Sequence, residues 1–288
     1  ETLSLSAPLV YQESLAELNH YEINKMALKQ PPKYVEGHNL LSGKSVLITA
    51  AAGAGIGYAA AQKSIEEGCR GLYISDVHEG RLAKAVETLQ AINPDTPVFG
   101  KLCDVTKESD VQALVADAEA KLENIDVLIN NAGLGGTCKL VDMPDDQWSR
   151  VIDITLTGTM RMMRAVLPAM QQRKAGVIIN NASVLGWRAQ VEQTHYAAAK
   201  AGVMALTRCS ALEAAEFDVR VNAVSPSIAF HEFLKKTTPM ELLEELAEKE
   251  AFGRAAEVWE IANVMMFLAS DYSSYMTGEV VSVSSQRA

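Results

Sequence analysis

Cysteine is sparse: Cys69, Cys103, Cys138 and Cys209 are the only four in 288 residues, they lie far apart, and they show no metal-ligand spacing. Neither a disulfide framework nor a zinc site is encoded, and the four read as reduced thiols of a cytoplasmic protein. The five histidines, His20, His38, His78, His195 and His231, are as scattered as the cysteines, and the chemistry developed below needs no metal. Positive charge is in deficit, with 26 Lys and Arg against 36 Asp and Glu and a net charge of -10. That balance argues against nucleic acid as a partner, since phosphate binding needs a basic footprint. No apolar run approaches the ~20 residues of a membrane span. A basic start followed by an apolar run is missing too, so no secretion signal is expected, and the opening at Glu1 reads as a trimmed chain.

What remains is a composition that is 48% hydrophobic, enough for one large α/β core. Within it, Tyr196 and Lys200 stand four apart in H-Y-A-A-A-K, thirteen residues after Ser183. On a helix this spacing puts a phenol and an ammonium on one face, where the cation stabilises a phenolate. A free tyrosine titrates near ~10, so such help is what acid–base work at neutral pH requires. Upstream, the apolar run Val46 to Ile48 reads as a buried parallel strand ending at a turn that carries Gly53, Gly55 and Gly57, after which a helix runs through Ala59 to Ile65. A turn without side chains lets backbone approach a pyrophosphate at a helix N-terminus. Asp76 closes the next strand, G-L-Y-I-S-D, where a carboxylate accepts both hydroxyls of an adenosine ribose. The competing role for Asp76 is to cap the helix around Glu79 and Arg81, leaving Arg81 to receive a phosphate.

With these residues in view, the chain from about Leu41 to its end resembles the short-chain dehydrogenase/reductase family. The matching pieces are T-A-A-A-G-A-G-I-G (Thr49 to Gly57), Asp76, C-D-V (Cys103 to Val105), N-N-A-G (Asn130 to Gly133), Ser183, and Tyr196 with Lys200. The resemblance implies an NAD-dependent enzyme interconverting a secondary alcohol and a ketone. Gly53, Gly55, Ile56 and Gly57 would cradle the cofactor phosphates, Asp104 and Val105 would border the adenine, and Asn131, Ala132 and Gly133 would lie beside the cofactor, with Pro226 and Ile228 on its nicotinamide side. Ser183 would hydrogen-bond the substrate oxygen, Tyr196 would exchange its proton, and Lys200 would bind the nicotinamide ribose while lowering the tyrosine pKa. A homodimer or homotetramer built on the helices containing Thr155 and Tyr196 is implied as well.

Three departures stand out. Thr155 occupies the place of a usual Asn whose main-chain carbonyl holds a water serving the lysine, a task that does not need the Asn side chain. Pro226-Ser227 replaces Pro-Gly, and the usual nicotinamide-contacting Thr is replaced near His231. Taken with W-R-A-Q (Trp187 to Gln190), H-E-F-L (His231 to Leu234) and the V-S-S-Q-R-A tail, these choices look like a bacterial steroid-degrading subfamily. That group acts on a ring hydroxyl of a hydroxy-hexahydroindanone-propionyl coenzyme A thioester. The alternatives are an NAD-binding regulatory protein or a scaffold subunit without turnover, against which the intact Ser–Tyr–Lys set argues.

The βα alternation implies a Rossmann-like, doubly wound parallel β-sheet of about seven strands with helices on both faces, near 46–49, 71–75, 97–101, 125–130, 176–181, 219–224 and 279–283. The segment Ser227 to Ala251, with Phe230, Phe233, Leu234, Met240, Leu242 and Leu243, reads as a substrate lid. Arg188, Lys235 and Lys236 are candidate contacts for an anionic ligand at its mouth, although each is more simply a solvated charge. His195, one residue from Tyr196, is expected to point away in a structural or interface role. Residues 1–40 fall outside the sheet pattern and read as a tail or an arm onto a neighbouring subunit; Leu15, Leu18 and Met26 suggest a short helix before Pro31-Pro32.

Overall fold

The computed structural model describes residues 32–230, 234 and 240–285. Its main sheet comprises β1 (Ser45–Ile48), β2 (Gly71–Asp76), β3 (Val98–Leu102), β4 (Val127–Asn130), β5 (Gly176–Asn181), β6 (Val219–Pro226) and β9 (Val280–Val283). The spatial order is β3-β2-β1-β4-β5-β6-β9, and every pairing is parallel. Two short strands, β7 (Ala229–Phe230) and β8 (Ala256–Glu257), form a separate ribbon. All seven expected strands of the main sheet are present, with ends within two residues of those expected.

The strands are apolar on consecutive residues because both faces are covered. Val46, Ile48, Leu72, Ile74, Ile129 and Ile179 pack toward α1 (Ile56–Glu66), α2 (Glu79–Gln90) and, near the end of the chain, α8 (Val258–Ala269). The alternate residues Leu47, Tyr73, Leu128, Ile178 and Val221 pack toward α3 (Glu108–Leu122), α5 (Gly158–Arg173) and α6 (Thr194–Ala215). A helix α4 (Asp145–Ile152) leads through a π-helical turn, Asp153–Thr157, into α5. The strand order reverses between β1 and β4, so the crevice for a ligand opens at their C-terminal ends.

Two segments differ from a plain sheet-and-helix pattern. Residues 34–38 lie without regular structure against this chain's own α1, and a turn at residues 39–41 leads from them toward β1. The cause is a buried polar anchor. Lys63, fully buried on α1, donates to the Val35 carbonyl, pairs with Glu66 at 2.9 Å and lies 3.8 Å from the centre of the Tyr34 ring. The Tyr34 hydroxyl donates to Glu66, and Glu67 accepts the N–H groups of His38 and Leu40. Residues 1–31, with the proposed short helix, lie outside the described residues.

In the 227–251 segment, α7 (Met240–Lys249) packs through the buried Leu243 and Ala247. His231, Phe233, Lys235 and Lys236 lie outside the described residues. No helix among the described residues is long and apolar enough to cross a membrane.

Candidate active site

Thr49 follows β1 directly, and its hydroxyl accepts the N–H groups of Asn131 (3.0 Å) and Ala132 (3.1 Å), fastening the β1 and β4 ends across the crevice. The Asn131 amide donates to the carbonyls of Thr49 (3.2 Å) and Ala50 (3.0 Å). Those bonds hold Ala50 at φ 51, a left-handed conformation that costs a non-glycine residue roughly 1–2 kcal/mol. Asn181, at the end of β5, donates to the Asn131 side-chain oxygen at 3.0 Å, while its own carbonyl accepts from Lys200 Nζ. Beneath this row, Asn130, Asn180 and Thr207 form a second buried chain of hydrogen bonds. The amide row ties three strand ends to the helix that carries the tyrosine and lysine.

The glycine turn fits a pyrophosphate. A Cβ on Gly53 would meet nothing within 4 Å, leaving backbone open to a ligand, whereas one on Gly57 would lie 2.3 Å from Asn131 Nδ2. Gly55 is the N-cap of α1; no side chain caps that end, and its first turn contains no acidic residue. Its N–H groups and positive dipole end therefore remain available to an anion. Asp76 is buried at the end of β2. One carboxylate oxygen accepts Ala52 N–H (3.3 Å) from the glycine turn, and the other accepts His78 N–H (3.0 Å) and Arg81 Nη2 (3.1 Å).

Asp104 accepts the N–H and the hydroxyl of Thr106, and although partial burial acts to raise its pKa, those bonds and Lys107 outweigh it and hold the carboxyl below its usual range. Val105 is buried: its side chain packs against Gly158 and its carbonyl accepts Arg161 Nη1 at 3.2 Å. Pro226 ends β6; the Ile228 carbonyl accepts Ala256 N–H at 2.9 Å.

At the catalytic end, Ser183 stands beside the Tyr196 phenol, and its hydroxyl accepts Leu185 N–H at 3.2 Å. Lys200 Nζ lies 5.5 Å from the Tyr196 ring centre. A Cβ on Gly133 would sit 3.5 Å from Lys200 Nζ and 3.8 Å from Thr155 Cγ2, so glycine leaves the lysine and Thr155 flanking one small space. Burial pushes the Tyr196 phenol up to about 12, only partly offset by the Ser183 hydrogen bond. Burial also lowers the Lys200 ammonium to about 8. The ammonium is turned onto the Asn181 carbonyl, and desolvation dominates at the phenol.

Thr155 lies in the π-helical turn, not within an α-helix. Its hydroxyl accepts Leu134 N–H (3.0 Å) and donates to Leu134 O (3.3 Å), while its carbonyl accepts the Thr159 hydroxyl at 2.9 Å. His195 is buried and points away from the reacting phenol, toward Gln147 (3.3 Å) and Gly136. Leu140, Val141, Trp187 and Val191 are exposed on the loops after β4 and before α6, which are joined by Cys138 N–H donating to Glu192 O at 3.0 Å. Arg188 is exposed between them.

These features coincide with a family model described as enoyl-(acyl carrier protein) reductase, which matches residues 50–285. A crystal structure of a short chain dehydrogenase from Mycobacterium smegmatis superposes with a TM-score of 0.81 and 54% identity, covering 91% of this chain and 100% of that one. The chain belongs to the short-chain dehydrogenase/reductase family. This short-chain dehydrogenase/reductase is also 57% identical over 262 residues to the "(5R,7aS)-5-hydroxy-7a-methyl-1-oxo-2,3,5,6,7,7a-hexahydro-1H-indene-carboxyl-CoA reductase" of Mycobacterium tuberculosis, covering 91% of this chain and 99% of that protein. It is 35% identical to a 3-oxoacyl-[acyl-carrier-protein] reductase of Thermotoga maritima over 84% of this chain and 97% of that one. As a family member it is an oxidoreductase that uses a nicotinamide dinucleotide.

Sequence reasoning located the pieces of the site but missed what fastens them. Thr49 was visible only as part of a motif, and Asn181 and Gln147 were not singled out. The available signal was a polar residue at the end of a buried apolar run, as in Leu47-Ile48-Thr49 and Ile179-Asn180-Asn181.

Proposed function

We propose that the chain is an NAD(H)-dependent enzyme interconverting a ring ketone and a secondary alcohol on a bicyclic acyl-coenzyme A thioester, with reduction its favoured direction. The observation that carries the reading is Tyr196 with Lys200 Nζ 5.5 Å from its ring centre on the same helix face and Ser183 beside a phenol that burial keeps protonated. A protonated phenol is a proton donor, which suits ketone reduction.

A nicotinamide held beside Tyr196 and Lys200 would supply the hydride for the carbonyl carbon, or accept it in the reverse direction. Ser183 Oγ donates a hydrogen bond to the substrate oxygen and Tyr196 Oη releases its proton to it. Lys200, titrating at about 8, returns a proton to the phenolate near neutral pH. We assign the free face of the Thr155 carbonyl to the water that connects the lysine to solvent. Gly53, Gly55, Ile56 and Gly57 would hold the pyrophosphate, Asp76 the adenosine ribose, and Asp104 with Val105 the adenine. Asn131, Ala132, Gly133, Tyr196, Lys200, Pro226 and Ile228 would hold the nicotinamide half.

The coenzyme A thioester and the fused ring are supported by the named substrate of the 57% identical relative and by the apolar mouth at Leu140, Val141, Trp187 and Val191. NAD is supported by Asp76, whose charge opposes a 2′-phosphate, and by the NAD+-bound xylitol dehydrogenase structure, 30% identical with a TM-score of 0.80. The further assignments are residues 41–288 as one domain, residues 227–251 as its lid, a cytoplasmic location for four free cysteines, and a homodimer or homotetramer through α5 and α6, where Leu212 is exposed.

The test is to follow NADH absorbance with coenzyme A thioesters of oxo-substituted bicyclic acids against simple ketosteroids and 3-oxoacyl thioesters. Preferential turnover of the bicyclic thioesters is expected. Preference for a control substrate would overturn the substrate assignment, and no turnover of any ketone would overturn the mechanism.

A further inference from the structure

The adenosine-ribose end of the crevice holds a cation that complicates a simple carboxylate rule. Asp76 is not a free anion: one oxygen is bound by the glycine turn through Ala52 N–H, and the other by His78 N–H and Arg81 Nη2. The Asp76 side chain is only 8% exposed, while that of Arg81 is 50% exposed. Arg81 therefore joins the carboxylate from the solvent side, and a single 3.1 Å contact holds it there. Half-exposed ion pairs of this kind contribute about 0–1 kcal/mol, so moving the guanidinium costs little. The competing charge in the same turn is Glu79.

We propose that Arg81, seated on Asp76 at the adenosine-ribose end of the crevice, sets how far this enzyme tolerates a 2′-phosphate on its dinucleotide. This inference rests on the reading that Asp76 faces the ribose. With a plain ribose, Arg81 stays on the carboxylate, the pair is neutral, and the hydroxyls use the remaining lone pairs of Asp76. With a 2′-phosphate, Arg81 turns from one anion to the other, and its planar fork meets phosphate oxygens at least as well as it meets one carboxylate oxygen. NAD remains preferred because Asp76 stays buried and negative, but the preference is smaller than the carboxylate alone would impose.

The experiment is calorimetric titration of the full chain with two cofactor fragments, adenosine 5′-monophosphate and adenosine 2′,5′-bisphosphate, on wild type, Arg81→Gln, Arg81→Lys and Asp76→Asn. In Arg81→Gln the ratio of bisphosphate to monophosphate Kd should rise about tenfold, with the monophosphate Kd moving less than about threefold, as expected for one charge withdrawn from beside a phosphate. Arg81→Lys should recover part of that ratio. Steady-state kcat/KM values for NADH and NADPH should shift in the same direction. An unchanged ratio in Arg81→Gln, or equal weakening of both fragments, overturns the role of Arg81. Asp76→Asn separates this outcome from a failure of the underlying reading. If that variant relaxes the ratio while Arg81→Gln does not, Asp76 is at the ribose and Arg81 is a bystander. If Asp76→Asn alters neither fragment, the carboxylate is not at the ribose and both ideas fall.

Discussion

Lys63 on α1 and Lys200 on α6 are both shut away from water, at 0% and 3% exposure, but their surroundings differ in kind. Lys63 has a countercharge in Glu66, a carbonyl in Val35 and the face of the Tyr34 ring. Lys200 has the Asn181 carbonyl and a tyrosine ring 5.5 Å away, and its ammonium titrates well below the usual lysine range because nothing anionic offsets its desolvation. The first arrangement holds structure together, binding the 34–41 strap to the helix that follows the glycine turn. The second makes a proton easy to lose and regain. Burying a lysine thus has opposite uses depending on whether a carboxylate, here the partly buried Glu66, lies against it.

The comparison breaks first at the tyrosine. Tyr196→Phe removes the transferable proton while keeping the ring, and turnover should fall by about two to four orders of magnitude with NADH binding retained. Substantial residual turnover, measured with titrated NADH to confirm binding, would remove Tyr196 from the acid's role and leave Lys200 a buried cation without a task.

Exchange of each lysine for methionine sharpens the contrast. Lys63→Met leaves Glu66 without its cation and frees the strap, so it should destabilise the fold by about 3 kcal/mol, the low end for breaking a buried pair, because Glu66 keeps Gln62 and Tyr34. Lys200→Met should abolish most activity and yet stabilise the protein. A lysine lowered to about 8 from 10.5 contributes a folding penalty of up to about 3 kcal/mol at neutral pH. The sign follows from proton counting. Between about pH 8 and 10.5 the unfolded lysine binds more protons than the folded one, so wild-type stability rises with pH in that window and its deficit against Lys200→Met shrinks. Denaturant midpoints at pH 7 and pH 10 read both effects; destabilisation by Lys200→Met at pH 7 would show that the lysine is paired more strongly than its contacts indicate.

The smallest effect is expected at Thr155. Its side chain bridges Leu134, but the proposed relay uses its carbonyl, so Thr155→Ala should lower kcat by roughly tenfold or less, the worth of a hydrogen bond or two. A collapse matching that of Lys200→Ala in folded protein would assign the hydroxyl an essential part.

Much of the fold was legible because parallel strands buried on both faces are written as continuous apolar runs, such as Val46 to Ile48 and Val177 to Ile179. The reacting residues were legible because the i,i+4 spacing of Tyr196 and Lys200 holds on any helix. The packing of residues 34–41 was not legible, because no local spacing places Tyr34, Val35 and Glu66 around a buried Lys63.

The sequence by itself determined the strand and helix pattern, the glycine turn and the shared helix face of Tyr196 and Lys200, the proposed acid–base set, since each depends on neighbours a few residues apart. Only the tertiary structure decided the electrostatic state of that set and of the cofactor site. Whether Tyr196 is held protonated, whether Lys200 is lowered, and whether Asp76 stands alone or under Arg81 depend on burial and on partners such as Asn181 and Ala52. Desolvation and hydrogen bonding act through space, and no local spacing encodes them.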